Sequence, residues 1–364
     1  MRLEQNLLFK VMLKEIFVSM ALLITFLPTH SQVIGGSSSF DFLTVPVNAR
    51  VAGVGGVNVS SGGNDPNMIL QNPAALDSAM NKRMSLNYSP YYGDVSAGSL
   101  AYAHRIKNAL WGFGMQYVNY GSINATDASG ADLGTFSSND FMLMATRSHK
   151  INYYTLGASV KLAGSQIAGY NAFALMTDIG GTFKHPTKDF TIGLVFKNVG
   201  YAVKRYYSST NDALPFDVQA GTSFKPEHFP IRLSITLDHL QQLNVVYNDT
   251  TIKTYDINGN PITTKTKLSD EIARHFVIGG EVIISKNFNL RFGYNYERRQ
   301  ELRLTSASGG AGFSFGFMFR VKKFEIAYTK AYYHIAGGTN FFTLAMDMSG
   351  FVKKNKNIQE QRND

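Results

Sequence analysis

Apolar and polar residues alternate with a period of two along most of the chain beyond residue 83. The clearest run follows Asn287: alternate positions are large and apolar, and the positions between them are polar or small, as in Phe288-Asn-Leu-Arg-Phe-Gly-Tyr294. The same alternation recurs over residues 231–238, 313–320 and 342–349. Successive side chains of a strand point to opposite faces, whereas a helix would scatter these apolar residues around its circumference. The pattern therefore predicts strands whose two faces meet different environments.

Fourteen such segments can be placed along the chain, and the lengths of their connections alternate as well. Tight connections follow every even-numbered segment, and most long polar connections, at 121–138, 199–213, 241–273 and 298–309, follow odd-numbered ones. Outer-membrane barrels have short turns at one end and long loops at the other. The predicted strands lie near 84–92, 95–105, 109–120, 139–149, 153–164, 172–184, 188–198, 214–224, 230–240, 274–285, 287–297, 310–321, 323–333 and 339–350.

The amino-acid composition agrees with a membrane barrel. The chain has 19 Tyr, 26 Phe and 33 Gly, only 17% charged residues and no Cys. Membrane barrels place aromatic residues in girdles and on the lipid face, although composition by itself leaves a pair of soluble β-sandwiches equally open. Because each unpaired backbone group costs several kcal/mol in lipid, a lipid-facing sheet must close on itself. We therefore predict an all-β fold, a closed antiparallel transmembrane β-barrel of about fourteen strands.

The first residues have the layout of a secretory signal peptide. Arg2, Lys10 and Lys14 precede an uncharged apolar run over 16–27, which is shorter than the roughly 20 residues that a spanning helix needs. Export and a membrane barrel together predict a protein of the outer membrane of a Gram-negative bacterium. The predicted organisation is a signal peptide at 1–31, an N-terminal plug segment at 32–82, the barrel at 83–352 and a polar tail at 353–364.

The plug prediction depends on residues that precede the first good strand. Glycine and serine are abundant there, and Asn64-Asp-Pro66 interrupts regular structure, but apolar residues such as Phe40, Phe42 and Leu43 recur. Such residues favour burial over exposure to the periplasm. We expect the segment to fold into the barrel lumen.

Charge and polar motifs exclude several classes of function. The net charge is +9, but the basic residues are spread over many connections instead of forming the stripe that nucleic acid requires. They are better placed at barrel rims, against outer-membrane lipid and lipopolysaccharide. The eight His show no paired spacing with carboxylates, and no nucleophile, base and acid form a catalytic set. We predict no enzyme activity, no metal and no cofactor.

Some charged residues fall on the lumen side of the predicted strands. Their signs are mixed, so they can pair with the plug or with one another. An ordinary polar interior is favoured over a substrate pathway, because barrel lumens are polar in general. The residues concerned are Arg232, Asp238, Glu281, Arg291 and Glu297.

The N-terminal segment contains a distinctive order of motifs. Gly-Gly-Ser-Ser-Ser-Phe-Asp-Phe-Leu43 is followed by Pro-Val-Asn-Ala-Arg-Val-Ala-Gly-Val-Gly-Gly56, then by Asp65-Pro-Asn and the box Asn72-Pro73-Ala74. The box resembles the hallmark of the FadL-type outer-membrane family. Within that family the order of motifs is most similar to the PorQ-like barrels of the type IX secretion system, and less so to the PorV-like ones. A plainer interpretation of the box is a turn inside the plug, and both can hold together.

The resemblance implies a fourteen-stranded barrel with an N-terminal plug. PorQ-like barrels are taken to hold a surface attachment complex with a PorU-like sortase and with PorV-like and PorZ-like proteins, whereas FadL-like barrels pass hydrophobic small molecules across the outer membrane. The first role is our leading hypothesis, and the second is the alternative. Long loops in compact proteins often carry function, so we expect the loop near 241–271 to dock a partner through Tyr247, Ile252, Tyr255, Ile257 and Ile262.

Overall fold

The computed structural model describes residues 38–207, 213–246, 267–302, 309–334 and 337–350. The predicted signal peptide, the polar tail and all five candidate docking residues lie outside them. Within the described residues the chain forms fourteen strands: β1 Arg83–Pro90, β2 Ser96–Ile106, β3 Ala109–Thr126, β4 Asp132–Ile151, β5 Tyr154–Ile167, β6 Tyr170–Lys184, β7 Asp189–Lys204, β8 Asp217–Lys225, β9 Ile231–Leu237, β10 Phe276–Ser285, β11 Phe288–Asn295, β12 Phe313–Val321, β13 Phe324–His334 and β14 Gly337–Asp347.

The strands close into a single antiparallel barrel. Each strand pairs with its neighbours in the chain, and β1 pairs with β14 in a register that runs from Arg83↔Asp347 to Tyr88↔Phe342. Closure leaves no open edge around the wall, so the backbone groups satisfy one another without water. The predicted fold class is confirmed.

Most of the tight turns lie at one end of the barrel, although the two-residue turn Ala168-Gly169 between β5 and β6 lies at the other end. Lys107, Asn152 and Lys322 occupy the left-handed backbone region in the hairpins β2–β3, β4–β5 and β12–β13, with φ between 53° and 55°. Short primed turns need such residues because their twist matches that of the flanking strands. In outer-membrane barrels the short turns face the periplasm, so we call this end periplasmic and the opposite end external.

The external hairpin of β3 and β4 is longer than predicted. The polar stretch at 121–138, expected to be a loop, forms paired strands such as Ser122↔Ser137 and Ile123↔Phe136. Strand β7 likewise runs to Lys204, into the loop expected at 199–213. Beyond the membrane both faces of a strand meet water, so the apolar alternation that marks a strand disappears.

A second correction concerns the end of β11. The strand stops at Asn295, and Tyr296–Leu302 form a short helix, α3, which packs beside another external helix, α2 (Leu268–Arg274). The side chain of Asn295 accepts a hydrogen bond from the backbone N–H of Arg298 at 2.9 Å. An amide oxygen in this position favours a helix start over a continuing strand. Glu297 therefore lies on a helix and not on a strand.

Residues 38–82 occupy the interior. They form one helix, α1 (Ala49–Gly53), and short 3₁₀ turns at Asp41–Thr44, Pro66–Leu70, Pro73–Ala75 and Ser78–Met80. Val51, Met68 and Ile69 are at most 1% exposed, and they pack in one cluster with wall residues such as Ala101 and Met142. We call residues 38–82 the plug.

Candidate functional site: the plugged lumen

The Asn72-Pro73-Ala74 box is one of the points at which the plug contacts the wall. Asn72 is fully buried; its Oδ1 accepts a hydrogen bond from Ala74 N at 2.9 Å, and its Nδ2 donates one to the Val59 carbonyl at 3.0 Å. The first bond caps the Pro73–Ala75 turn, and the second joins this turn to the plug segment that contains Val59. The box is thus a turn inside the plug, as its plainer interpretation holds.

Glycines on the inner wall allow this close approach. A Cβ atom at Gly180 would collide with Asn72 Oδ1, one at Gly157 with the Pro73 backbone, and one at Gly193 with the Val59 carbonyl. Side chains at these wall positions would therefore push the plug away. The lumen is shaped to hold this particular segment.

A buried ionic cluster also joins the plug to the wall. Glu281 on β10 accepts hydrogen bonds from Arg50 of α1 at 3.2 Å and 3.3 Å, from Arg291 of β11 at 3.1 Å and from Arg232 of β9 at 3.3 Å. Asp65 of the plug lies 3.5 Å from Arg50. Burial lowers the pKa of Arg50, but Glu281 and Asp65 outweigh that effect and hold it above its ordinary value. We call this arrangement the Glu281 cluster.

Another buried ion pair lies in a different part of the wall. Lys161 of β5 lies 2.6 Å from Asp178 of β6 and donates to Asn198 Oδ1 at 3.0 Å. Asn198 has φ 58° at an irregularity in the β6–β7 register, and its backbone N–H donates to Asp178. Buried charges of this kind persist only when they are paired and hydrogen-bonded. This pair therefore joins β5, β6 and β7 in the wall.

The plug separates two cavities. One of about 810 Å³ opens at the periplasmic end, where Lys150, Lys184 and Arg320 line it. The other, of about 250 Å³, lies at the external end; its plug side is largely apolar, including Val45, Pro46 and Leu70, whereas its wall side is polar. We call the second cavity the external vestibule.

Polar groups gather on the wall of the external vestibule. Asp217 begins β8, and Asp238 and His239 directly follow β9, so strand pairing brings the three together. His239 Nδ1 lies 3.2 Å from Asp217 Oδ1, and its Nε2 lies 3.8 Å from both Asp238 Oδ2 and Glu297 Oε2. Burial raises the pKa of Glu297 to about 7, although the neighbouring His239 lowers it.

The residues predicted to face the lumen fall into two groups. Arg232, Glu281 and Arg291 meet in the Glu281 cluster, while Asp238 and Glu297 line the external vestibule. Sequence analysis missed Arg50 and Asp217, which contact these groups, and it missed the separate pair of Lys161 with Asp178. Period-two alternation does place Asp217 and Lys161 on the inner face, but the pairing of distant strands decides which charges meet.

The outer face of the wall is apolar. Every second residue of β11 and β12 is exposed or half-buried there, among them Leu290, Phe292 and Phe315, each at least 39% accessible. Aromatic rings pair near the periplasmic end, as in Tyr154 with Phe183, and near the external end, as in Tyr170 with Tyr207. An apolar band between two aromatic girdles is the lipid-facing surface of a membrane barrel. The chain is an outer-membrane β-barrel.

Among the described residues, no helix has the length and apolar character needed to cross a membrane.

Known proteins provide a similarity of fold only. No protein-family profile matches the sequence, and no curated protein is detectably similar to it. Solved structures with a similar fold include the Pseudomonas putida toluene transporter TodX, at 12% identity over 83% of this chain and 96% of that chain with a TM-score of 0.46. The Acinetobacter baumannii outer membrane protein Omp33 is 7% identical over 73% and 98% with a TM-score of 0.36, and a KdgM porin is 8% identical over 72% and 98% with a TM-score of 0.32.

These matches do not support the type IX assignment, which stays a hypothesis based on the N-terminal motifs.

Proposed function

We propose that the protein is a sealed, non-catalytic barrel that anchors a protein attachment complex at the cell surface, the role of the type IX barrels that its N-terminal segment resembles. The partners under this proposal are PorU-like, PorV-like and PorZ-like proteins. The observation that carries the proposal is the fixed plug. Buried ion pairs and direct backbone contacts hold the plug in the lumen, which suits a barrel that anchors other proteins better than one that conducts solutes.

The external end supports this proposal because it offers a surface for protein contact. The pairing of β2 with β3 ends at Asn119, and the pairing of β5 with β4 ends at Ser138. Beyond these residues, the external parts of β3 and β4 pair only with each other in the described structure. Leu133 in this projecting hairpin is 67% exposed. Unpaired strand edges are sites at which another chain can add its own strand.

Two deletions test the proposal. One removes residues 247–262, which include the five candidate docking residues, and the other replaces the projecting hairpin, residues 121–137, with a short turn. Each deletion variant is expressed in cells that lack the native gene, and surface proteins are quantified after the outer membrane is shown to contain folded barrel. Loss of attached proteins in either variant supports anchoring; normal attachment in both contradicts it.

Transport of small hydrophobic molecules is a second candidate, favoured by one observation. The external vestibule has an apolar plug side and a polar wall side, which together suit an amphipathic ligand. Transport requires that the plug move, and it predicts that uptake of such molecules falls when the gene is deleted. Unchanged uptake together with lost surface attachment would reject transport and retain anchoring.

A further inference from the structure

The cluster on the wall of the external vestibule combines the donor groups that transition metals prefer. Asp217, Asp238 and His239 each offer one ligand atom, and these three atoms lie within 4.8 Å of one another. Carboxylate oxygen and imidazole nitrogen are the usual protein ligands of zinc besides thiolate. Imidazole also favours zinc over magnesium or calcium, which take oxygen ligands.

A buried amide beside these three residues has an oxygen without a hydrogen-bond partner. Gln219 is 4% exposed, and its Nε2 donates to Asp217 Oδ2 at 2.5 Å and to Asp238 Oδ1 at 2.8 Å. Its Oε1 is buried and accepts no hydrogen bond from any described residue. A buried polar atom without a partner costs about 1–3 kcal/mol, so the amide that contacts both carboxylates through its Nε2 leaves the hydrogen bonding at this place incomplete.

The charge around the cluster also favours a cation. Asp217, Asp238, Glu297 and Glu301 line the vestibule together with Lys161, Lys197 and Arg298, and Lys161 is paired with Asp178. The charge of Arg274, outside the lining, also acts on Glu301. Among the lining residues, carboxylates therefore outnumber lysines and arginines. The side chain of His239 is 31% exposed, so an ion can reach it from the external side.

We propose that Asp217, Asp238 and His239, with Gln219 beside them, form a binding site for a divalent transition metal such as zinc. The bound ion joins the external ends of β8 and β9, and Glu297 of α3 lies close enough to His239 to complete the site when the ion is present. The site is independent of the proposed anchoring role.

Zinc titration of the full mature chain, refolded in detergent and carrying no histidine tag, tests this site. Competition with a chromogenic zinc chelator measures the dissociation constant and the stoichiometry. The wild-type barrel is expected to bind one zinc ion per chain. His239→Ala and Asp217→Asn are each expected to weaken binding by at least about tenfold, the loss already typical of residues that only support metal ligands.

The matched control is His185→Ala, because His185 lies in the β6–β7 turn at the periplasmic end. Asp217→Asn keeps the shape of the side chain, and heat-modifiable migration on gels shows that each variant is folded. Absence of saturable zinc binding by the wild-type barrel, or equal binding by the wild type and both folded site variants, overturns the proposal. A protonated His239 held by carboxylates would give the first of these results.

Discussion

Glu281 is the residue on which the charges of the lumen converge. Arg50, Arg232 and Arg291 all donate to its carboxylate, and Glu281 is 4% exposed. Removing one partner of a buried ion pair leaves an uncompensated charge in a poorly solvated place. The arginine side chains cannot lose their protons to escape this cost.

Replacing Glu281 with Gln is therefore expected to lower the free energy of unfolding by about 3–5 kcal/mol. Urea unfolding in lipid vesicles, followed by Trp111 fluorescence, measures the change. Glu227→Gln is the control, because Glu227 is exposed in the β8–β9 turn. Equal free energies of unfolding for the two variants would show that the Glu281 cluster does not stabilise the folded state.

Adjacent glycines provide a test of plug contact. A Cβ atom at Gly180 would collide with Asn72 of the plug, whereas one at Gly181 would lie 3.5 Å from its nearest neighbour, Leu156 Cδ2. Gly180→Ala is expected to displace the plug and to expose it to protease in intact vesicles, while Gly181→Ala leaves it protected. Equal protection in both variants would mean that the plug is not seated against β6.

At the scale of elements, the projecting hairpin of β3 and β4 is structurally separate from the wall. Residues 121–137 pair only with each other among the described strands. Replacing them with a short turn is expected to leave the melting temperature of the barrel unchanged, as measured by heat-modifiable migration. Extending the truncation to residue 143 removes wall pairs such as Phe141↔Gly164 and is expected to prevent folding. A hairpin truncation that itself unfolds the barrel would contradict this division.

The strands themselves are the part of the fold that sequence analysis located best. All fourteen appear in the predicted order, since each crosses the same two environments and alternates accordingly. Their ends were located less well where the chain leaves the membrane, as at Thr126, Lys204 and Asn295. There the side chains on both faces meet water or other side chains, so no period marks the boundary.

At the scale of the whole molecule, the plug blocks the path through the barrel lumen. The intact chain is expected to show no steady ion conductance in planar bilayers. A chain that begins at Lys82 lacks the plug and is expected to form steady open channels, because the polar lumen then fills with water. Folding of the truncated chain is checked by its strand signal in circular dichroism. Comparable conductance of the two chains would contradict a sealed lumen.

The sequence by itself determined the strand number, the antiparallel order and the outward position of residues such as Phe292. The outward position follows from the period that each strand carries alone, and the number and order follow from that period together with the lengths of the connections. The tertiary structure decided which distant groups meet: Arg50 with Glu281, Asn72 with the wall at Gly180, and Asp217 with His239. Such pairings depend on barrel closure and on the path of the plug. Both arise from contacts between residues far apart in the chain, which no local pattern records.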